Sequence, residues 1–142
     1  MMEREILFKG KRVDNNQWTE GFLSFIYTDG RNSNGFIYTD KAQIYSPVEV
    51  RSHDVYTSTV GQFTGLYDKD GKKIFEGDIL ISSRWSCPCH VSFMDGGFTL
   101  EEGETAENLG ANFYDCEGDE IEDIQVIGNI HDTPELVKEE SE

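Results

Sequence analysis

Apolar and polar positions alternate along the chain in short runs, and turn residues interrupt each run before it reaches helical length, a pattern that predicts a mainly β protein. Residues 4–9 alternate with Ile6 and Phe8 on one side and predict a first strand. Asp14-Asn15-Asn16 reads as a turn, after which Trp18, Phe22, Leu23, Phe25, Ile26 and Tyr27 mark a strand too apolar for both of its faces to lie in water. A polar loop over residues 29–35 leads to a return strand at Phe36-Ile37-Tyr38, and Gln43-Ile44-Tyr45 gives a further short extended piece. Val48, Val50 and Val55 are read as extended chain entering the central stretch.

That central stretch, residues 59–80, spaces Val60, Phe63, Leu66, Ile74, Phe75, Ile79 and Leu80 between four glycines. Asp70-Gly71 is a turn pair, since Gly accepts positive φ and Asp bonds nearby backbone, so residues 67–74 read as a hairpin with a loop of four or five residues. Glu76-Gly77-Asp78 delivers the chain into a new strand at Ile79-Leu80-Ile81. These glycines shape turns; Gly71-Lys72-Lys73 runs into strand-like residues rather than opening a phosphate-cradling helix. Further on, Met94-Asp95-Gly96-Gly97 joins a hairpin between Val91-Ser92-Phe93 and Phe98-Thr99-Leu100. Residues 104–109 followed by Gly110 predict one or two helical turns ending at a Gly cap, and residues 115–123 a solvated acidic loop. A last strand is expected over residues 124–130, then a helix start at Thr133-Pro134-Glu135, then a frayed tail over residues 138–142.

Three segments in order resemble the YopX family of phage and prophage proteins. They are the opening Arg4-Glu5-Ile6-Leu7-Phe8-Lys9-Gly10-Lys11 with Trp18 and Gly21, the central stretch including Asp68-Lys69-Asp70-Gly71-Lys72 and Ile74-Phe75-Glu76-Gly77-Asp78-Ile79, and the closing Val126-Ile127-Gly128-Asn129-Ile130-His131-Asp132 with Pro134-Glu135-Leu136. The resemblance implies an SH3-like β-barrel or roll, encoded by bacterial viruses, with no established activity and no catalytic residues to carry over. The expected organisation is one domain over residues 1–142, divisible into an N-terminal β region at 1–55 and an SH3-like barrel at 56–137, with one or two short helices.

Composition narrows the functional classes. With 142 residues, 37% hydrophobic and 28% charged, the chain falls among ordinary soluble proteins, and the absence of a signal-like N-terminus or a long apolar run predicts a cytoplasmic protein of the bacterial host cell. The net charge of −16 is concentrated at one end: residues 101–142 hold 15 Asp and Glu against one basic residue, Lys138. Such a field opposes phosphate backbones, so direct nucleic-acid binding is not expected, although Lys9, Lys11 and Arg12 form a small basic patch.

Candidate chemistry is sparse. Cys87-Pro88-Cys89-His90, with Cys116 from elsewhere in the chain, supplies ligand types that zinc favours, but the Cys-x-Cys spacing departs from the usual pair, and the expectation is no metal and no cofactor. A Cys nucleophile with His90 as base, or an acid–base pair of His53 and Asp54, would need strand neighbours that point to opposite faces. Trp18, Phe25, Tyr27, Phe36 and Tyr38 suit strand packing better than a base-stacking platform, which would need interspersed basic residues. The expectation is therefore a non-enzymatic binding or self-assembling module with a protein partner. Two alternatives are an acidic decoy occupying a host protein's nucleic-acid site and a zinc protein built on the thiols.

Overall fold

A computed structural model describes residues 5–31, 37–102 and 105–137. Arg4, Phe36, Glu104, most of the expected polar loop and the 138–142 tail lie outside the described residues. The chain divides into two compact units, Met1–Phe63 and Thr64–Glu142.

In the first unit β1 (Phe8–Lys11), β2 (Trp18–Arg31), β3 (Ile37–Ser46) and β4 (Arg51–Val55) form an antiparallel sheet in the order β4-β3-β2-β1. The start of β5 (Gly61–Tyr67) pairs with β1 through Phe8 opposite Gln62. Alternation gives this sheet a closed face, where Gly10, Ala42, Ile44, His53 and Val55 are buried, and an open one. Position 21 requires glycine, because a Cβ there would collide with the Tyr45 carbonyl oxygen across the strand pair. Several local expectations are corrected here. Among the described residues the first strand begins at Phe8, with residues 5–7 outside it, and Leu7 is buried while Ile6 is exposed. The pieces expected at 36–38 and 43–45 are one strand, β3, held continuous by its pairing with both β2 and β4. Val48 and Val50 lie in the turn between β3 and β4 rather than in extended chain, Val50 with φ of 56°.

The second unit carries β6 (Lys73–Phe75), β7 (Asp78–Ile81), β8 (Cys89–Met94), β9 (Gly97–Glu102), β10 (Thr105–Asn108) and β11 (Gln125–Asn129). Five of these form an antiparallel sheet in the order β10-β9-β8-β7-β11. The hairpin of β5 and β6 turns through residues 68–72, with the Asp68 N–H donating to the Lys72 carbonyl at 2.9 Å and Gly71 at φ of 80°. Asp95 and Gly96, with φ of 53° and 82°, make the tight turn between β8 and β9 that a right-twisted hairpin prefers.

Among the described residues neither sheet closes into the expected barrel. The apolar face of the second sheet is covered instead by Leu109 and Phe113, from a connection without strands, which join Leu80, Val91, Leu100, Ile124 and Val126 in one core. A face already covered by such a segment has no need to curl onto itself to escape water. The helical turns expected over 104–109 are also corrected. Thr105–Asn108 is strand β10, paired with β9, and Gly110 opens a 3-10 turn, Gly110–Phe113, instead of ending a helix. One helical turn costs more to nucleate than four residues spend in extending an existing ladder, so the edge of β9 captures the segment. The Asn108 Oδ1 accepts the Ala111 N–H at 2.9 Å at the start of the 3-10 turn. The helix start at Thr133 is a single 3-10 turn, Pro134–Leu136.

Candidate functional site

Three places carry enough chemistry to be weighed: the polar residues of the central and closing motifs, the thiols, and the open face of the first sheet.

The motif residues are occupied in building the second unit. Asp68 is buried; its Oδ1 accepts the Asp70 and Lys72 N–H groups at 2.9 Å each, and its Oδ2 accepts the Val126 N–H at 3.1 Å. Burial works against the charge, but the N–H groups of Val126, Lys72 and Asp70 prevail and hold the carboxyl below its ordinary range. Asp78 is buried as well and accepts the Phe75 N–H at 2.8 Å, closing the Glu76-Gly77 turn. The Gly77 N–H donates to the Val91 carbonyl, and its own carbonyl accepts the Ile130 N–H. In the closing motif Asn129 Oδ1 accepts the N–H groups of His131 and Asp132, while Thr133 Oγ1 bonds the Asn129 backbone. These side chains hold backbone in place.

His53 and His90 pair with carboxylates that the sequence did not assign to them. His53 is buried with Nε2 2.7 Å from Glu49 Oε2, whereas Asp54 accepts a hydrogen bond from Gln43 at 2.8 Å. His90 Nε2 lies 2.5 Å from Glu101 Oε2, its partner across the β8–β9 ladder. Neither His53 with Asp54 nor His90 with the thiols forms an acid–base pair.

Of the four thiol-cluster candidates, Cys87 and Cys89 come together; His90 and Cys116 stand outside the group. The third member is Glu102, and one ligand atom from each of the three lies within 4.8 Å of the others. All three cysteines are free thiols. The neighbouring Glu102 carboxylate raises the Cys87 thiol, and burial, reinforced by Cys87 and Glu102, pushes Cys89 up to about 12. Protonated thiols are poor nucleophiles, so the arrangement does not suit covalent catalysis. Cys116 lies exposed in a turn that Asp115 closes by accepting the N–H groups of Glu117 and Asp119. Glu102 was missed because it lies 13 positions from Cys89 in the sequence and comes close only through strand register.

On the open face of the first sheet the ladder sets Phe22 directly opposite Tyr45 and Trp18 opposite Lys11. Phe22 is 54% exposed and Tyr45 39%. Lys9 Nζ lies 4.8 Å from the Trp18 ring centre and Lys11 Nζ 5.9 Å, within cation–π range. Of the aromatics singled out in the sequence, Trp18 belongs to this face and Phe25 to the other; Tyr27 and Tyr38 lie in β2 and β3. Phe22 and Tyr45, which the platform reading omitted, are the exposed pair.

Among the described residues no helix is long and apolar enough to cross a membrane. The family model for YopX protein matches residues 8–138. The crystal structure of protein EF1440 from Enterococcus faecalis is similar at a TM-score of 0.53 and 26% identity, over 96% of this chain and 100% of that one. No curated protein matches the chain.

Proposed function

The chain belongs to the YopX family, and from that premise we propose that it is a non-enzymatic binding module of phage or prophage type, acting in the host cytoplasm. Its contact surface is the open face of the first sheet, and its partner is a protein of the phage or host, or a second copy of the chain. The observation that carries this reading is the cross-strand pair of Phe22 and Tyr45, two large aromatic side chains exposed side by side, while Ala42, Ile44, His53 and Val55 are buried on the other face of the same sheet. Aromatic residues supply a disproportionate share of binding energy at protein interfaces. The occupied polar side chains of the family motifs support a structural rather than catalytic use of those residues. We read the second unit as an open roll of SH3-like kind, a fold that hosts many functions and selects none.

The test is capture from nuclease-treated host and infected-cell lysates, with sedimentation of the purified chain to detect self-association. A specific partner or dimer formed by the wild type is expected to weaken about 30-fold for each of Phe22→Ser and Tyr45→Ser, from about 2 kcal/mol per aromatic anchor. Undiminished binding by the double variant would refute the assignment of the face. Release of a captured nucleic-acid-binding host protein by added DNA, from the double variant as well as the wild type, would point to the acidic decoy instead.

A further inference from the structure

The Cys87-Pro88-Cys89 segment enters β8 with little freedom. Pro88 fixes its own φ and disfavours helical backbone at the preceding Cys87, while Cys89 is buried and paired with Leu80 of β7. His90 stands opposite Glu101, so continuing the register by one residue sets Glu102 opposite Cys89, on the face away from the His90–Glu101 pair. Two sulfurs and a carboxylate thereby converge from a short turn and two adjacent strands, with mutual separations within 4.8 Å. Donor atoms around a tetrahedral zinc stand roughly 3.5–4 Å apart, given Zn–S bonds of about 2.3 Å, so small side-chain rotations would complete the geometry.

Two surrounding features fit an ion. Ser86 donates a hydrogen bond to Glu102 Oε1 at 3.0 Å, the kind of outer contact that orients a ligating carboxylate. A cavity of about 40 Å³, lined in part by Cys89, Glu102, Thr105, Glu107 and Asn112, adjoins the cluster, which is room for a water with polar partners.

We propose that Cys87 Sγ, Cys89 Sγ and the Glu102 carboxylate form a binding site for one thiophilic divalent cation of the zinc class, with a water from the adjoining cavity as fourth ligand. Binding replaces two S–H bonds by two metal–thiolate bonds and releases two protons to solvent, with no change in oxidation state. Thiolate sulfur selects against magnesium and calcium, which prefer oxygen ligands. The site lies wholly in the second unit and goes beyond the binding reading above, because it needs no residue of the open aromatic face.

The experiment is a titration of the reduced full-length protein with cobalt(II) in the absence of oxygen, followed by zinc. Expected are thiolate-to-cobalt absorption and the visible bands of a four-coordinate ion, saturating at one equivalent and abolished by zinc. Cys87→Ser, at an exposed position, is expected to lower cobalt affinity at least about 100-fold, and Ser86→Ala about tenfold. Glu102→Gln weakens binding by a similar order, while His90→Gln and Cys116→Ser leave it unchanged. Zinc is also expected to protect Cys87 of the wild-type protein from alkylation while Cys116 remains reactive, a readout independent of any variant's folding. Absence of the bands at one equivalent, equal alkylation of Cys87 with and without zinc, or loss of binding on Cys116→Ser would overturn the proposal.

Discussion

Replacing Asp68 tests whether the central motif owes its residue types to folding. The carboxylate accepts three backbone N–H groups, two from its own loop and one from Val126, 58 residues away. In Asp68→Ala the Asp70 and Lys72 N–H groups, on exposed residues, turn to water at about 0.5–1 kcal/mol each, but the Val126 N–H stays buried without its charged acceptor, costing about 2–3 kcal/mol. The total is about 3–5 kcal/mol. Asp68→Asn can keep its oxygen toward the loop and then presents an N–H₂ to the Val126 N–H, so it is expected to cost about 2–3 kcal/mol. The assay is urea unfolding followed by Trp85 fluorescence in a Trp18→Phe background, since Trp85 packs against the core of the second unit. Midpoints should fall in the order wild type, Asn, Ala, with little change in slope. The carboxyl is held below its ordinary 3.8 in the folded protein, so its charge-dependent contribution is complete above that value. That contribution is lost as pH falls through the folded value, and the gap between wild type and Asp68→Asn should narrow there. An Asn variant within 0.5 kcal/mol of wild type at pH 7, or a gap indifferent to acid, would refute the reasoning.

Three further outcomes are expected. Val50→Asn should raise stability by about 1 kcal/mol in thermal or urea unfolding, because a β-branched residue at φ of 56° is strained and this one, 71% exposed, has little packing to lose. Gly21→Ala should unfold or severely destabilise the first unit, seen as loss of amide protection in β2 and β3, since its Cβ would occupy the place of the Tyr45 carbonyl. Asp123 is lowered to about 2 by the Ser83 and Ser82 hydroxyls and the Ser83 N–H. Its stabilisation is therefore present above the ordinary 3.8 and lost as pH falls toward about 2, and Asp123→Asn should flatten that part of an acid-unfolding curve.

Turns that carry an Asp-Gly pair were legible in the sequence, whereas the turn at Val48 and Val50, which has no such residues at its positive φ, was not. Asp70-Gly71 and Asp95-Gly96 announce their turns because positive φ and an adjacent Asp are local chemistry, and the strand entered after Glu76-Gly77-Asp78 follows from the same rule. The chain's β character and the motifs of its family are likewise legible in the sequence, and the family match over residues 8–138 agrees with them. Tertiary structure decided whatever depends on which strand lies beside which. Residues 105–108 carry no strong preference of their own and became a strand because the edge of β9 offered a ladder. Asp68 reads as an ordinary turn residue until β11 places the Val126 N–H over it. Glu102 joins Cys87 and Cys89 only through the β8–β9 register, and the open aromatic pair exists because Phe22 and Tyr45 fall opposite each other on the uncovered side of a sheet. Turn chemistry acts over a few bonds and is written in composition. Register and burial join residues distant in sequence, and only the folded chain brings them together.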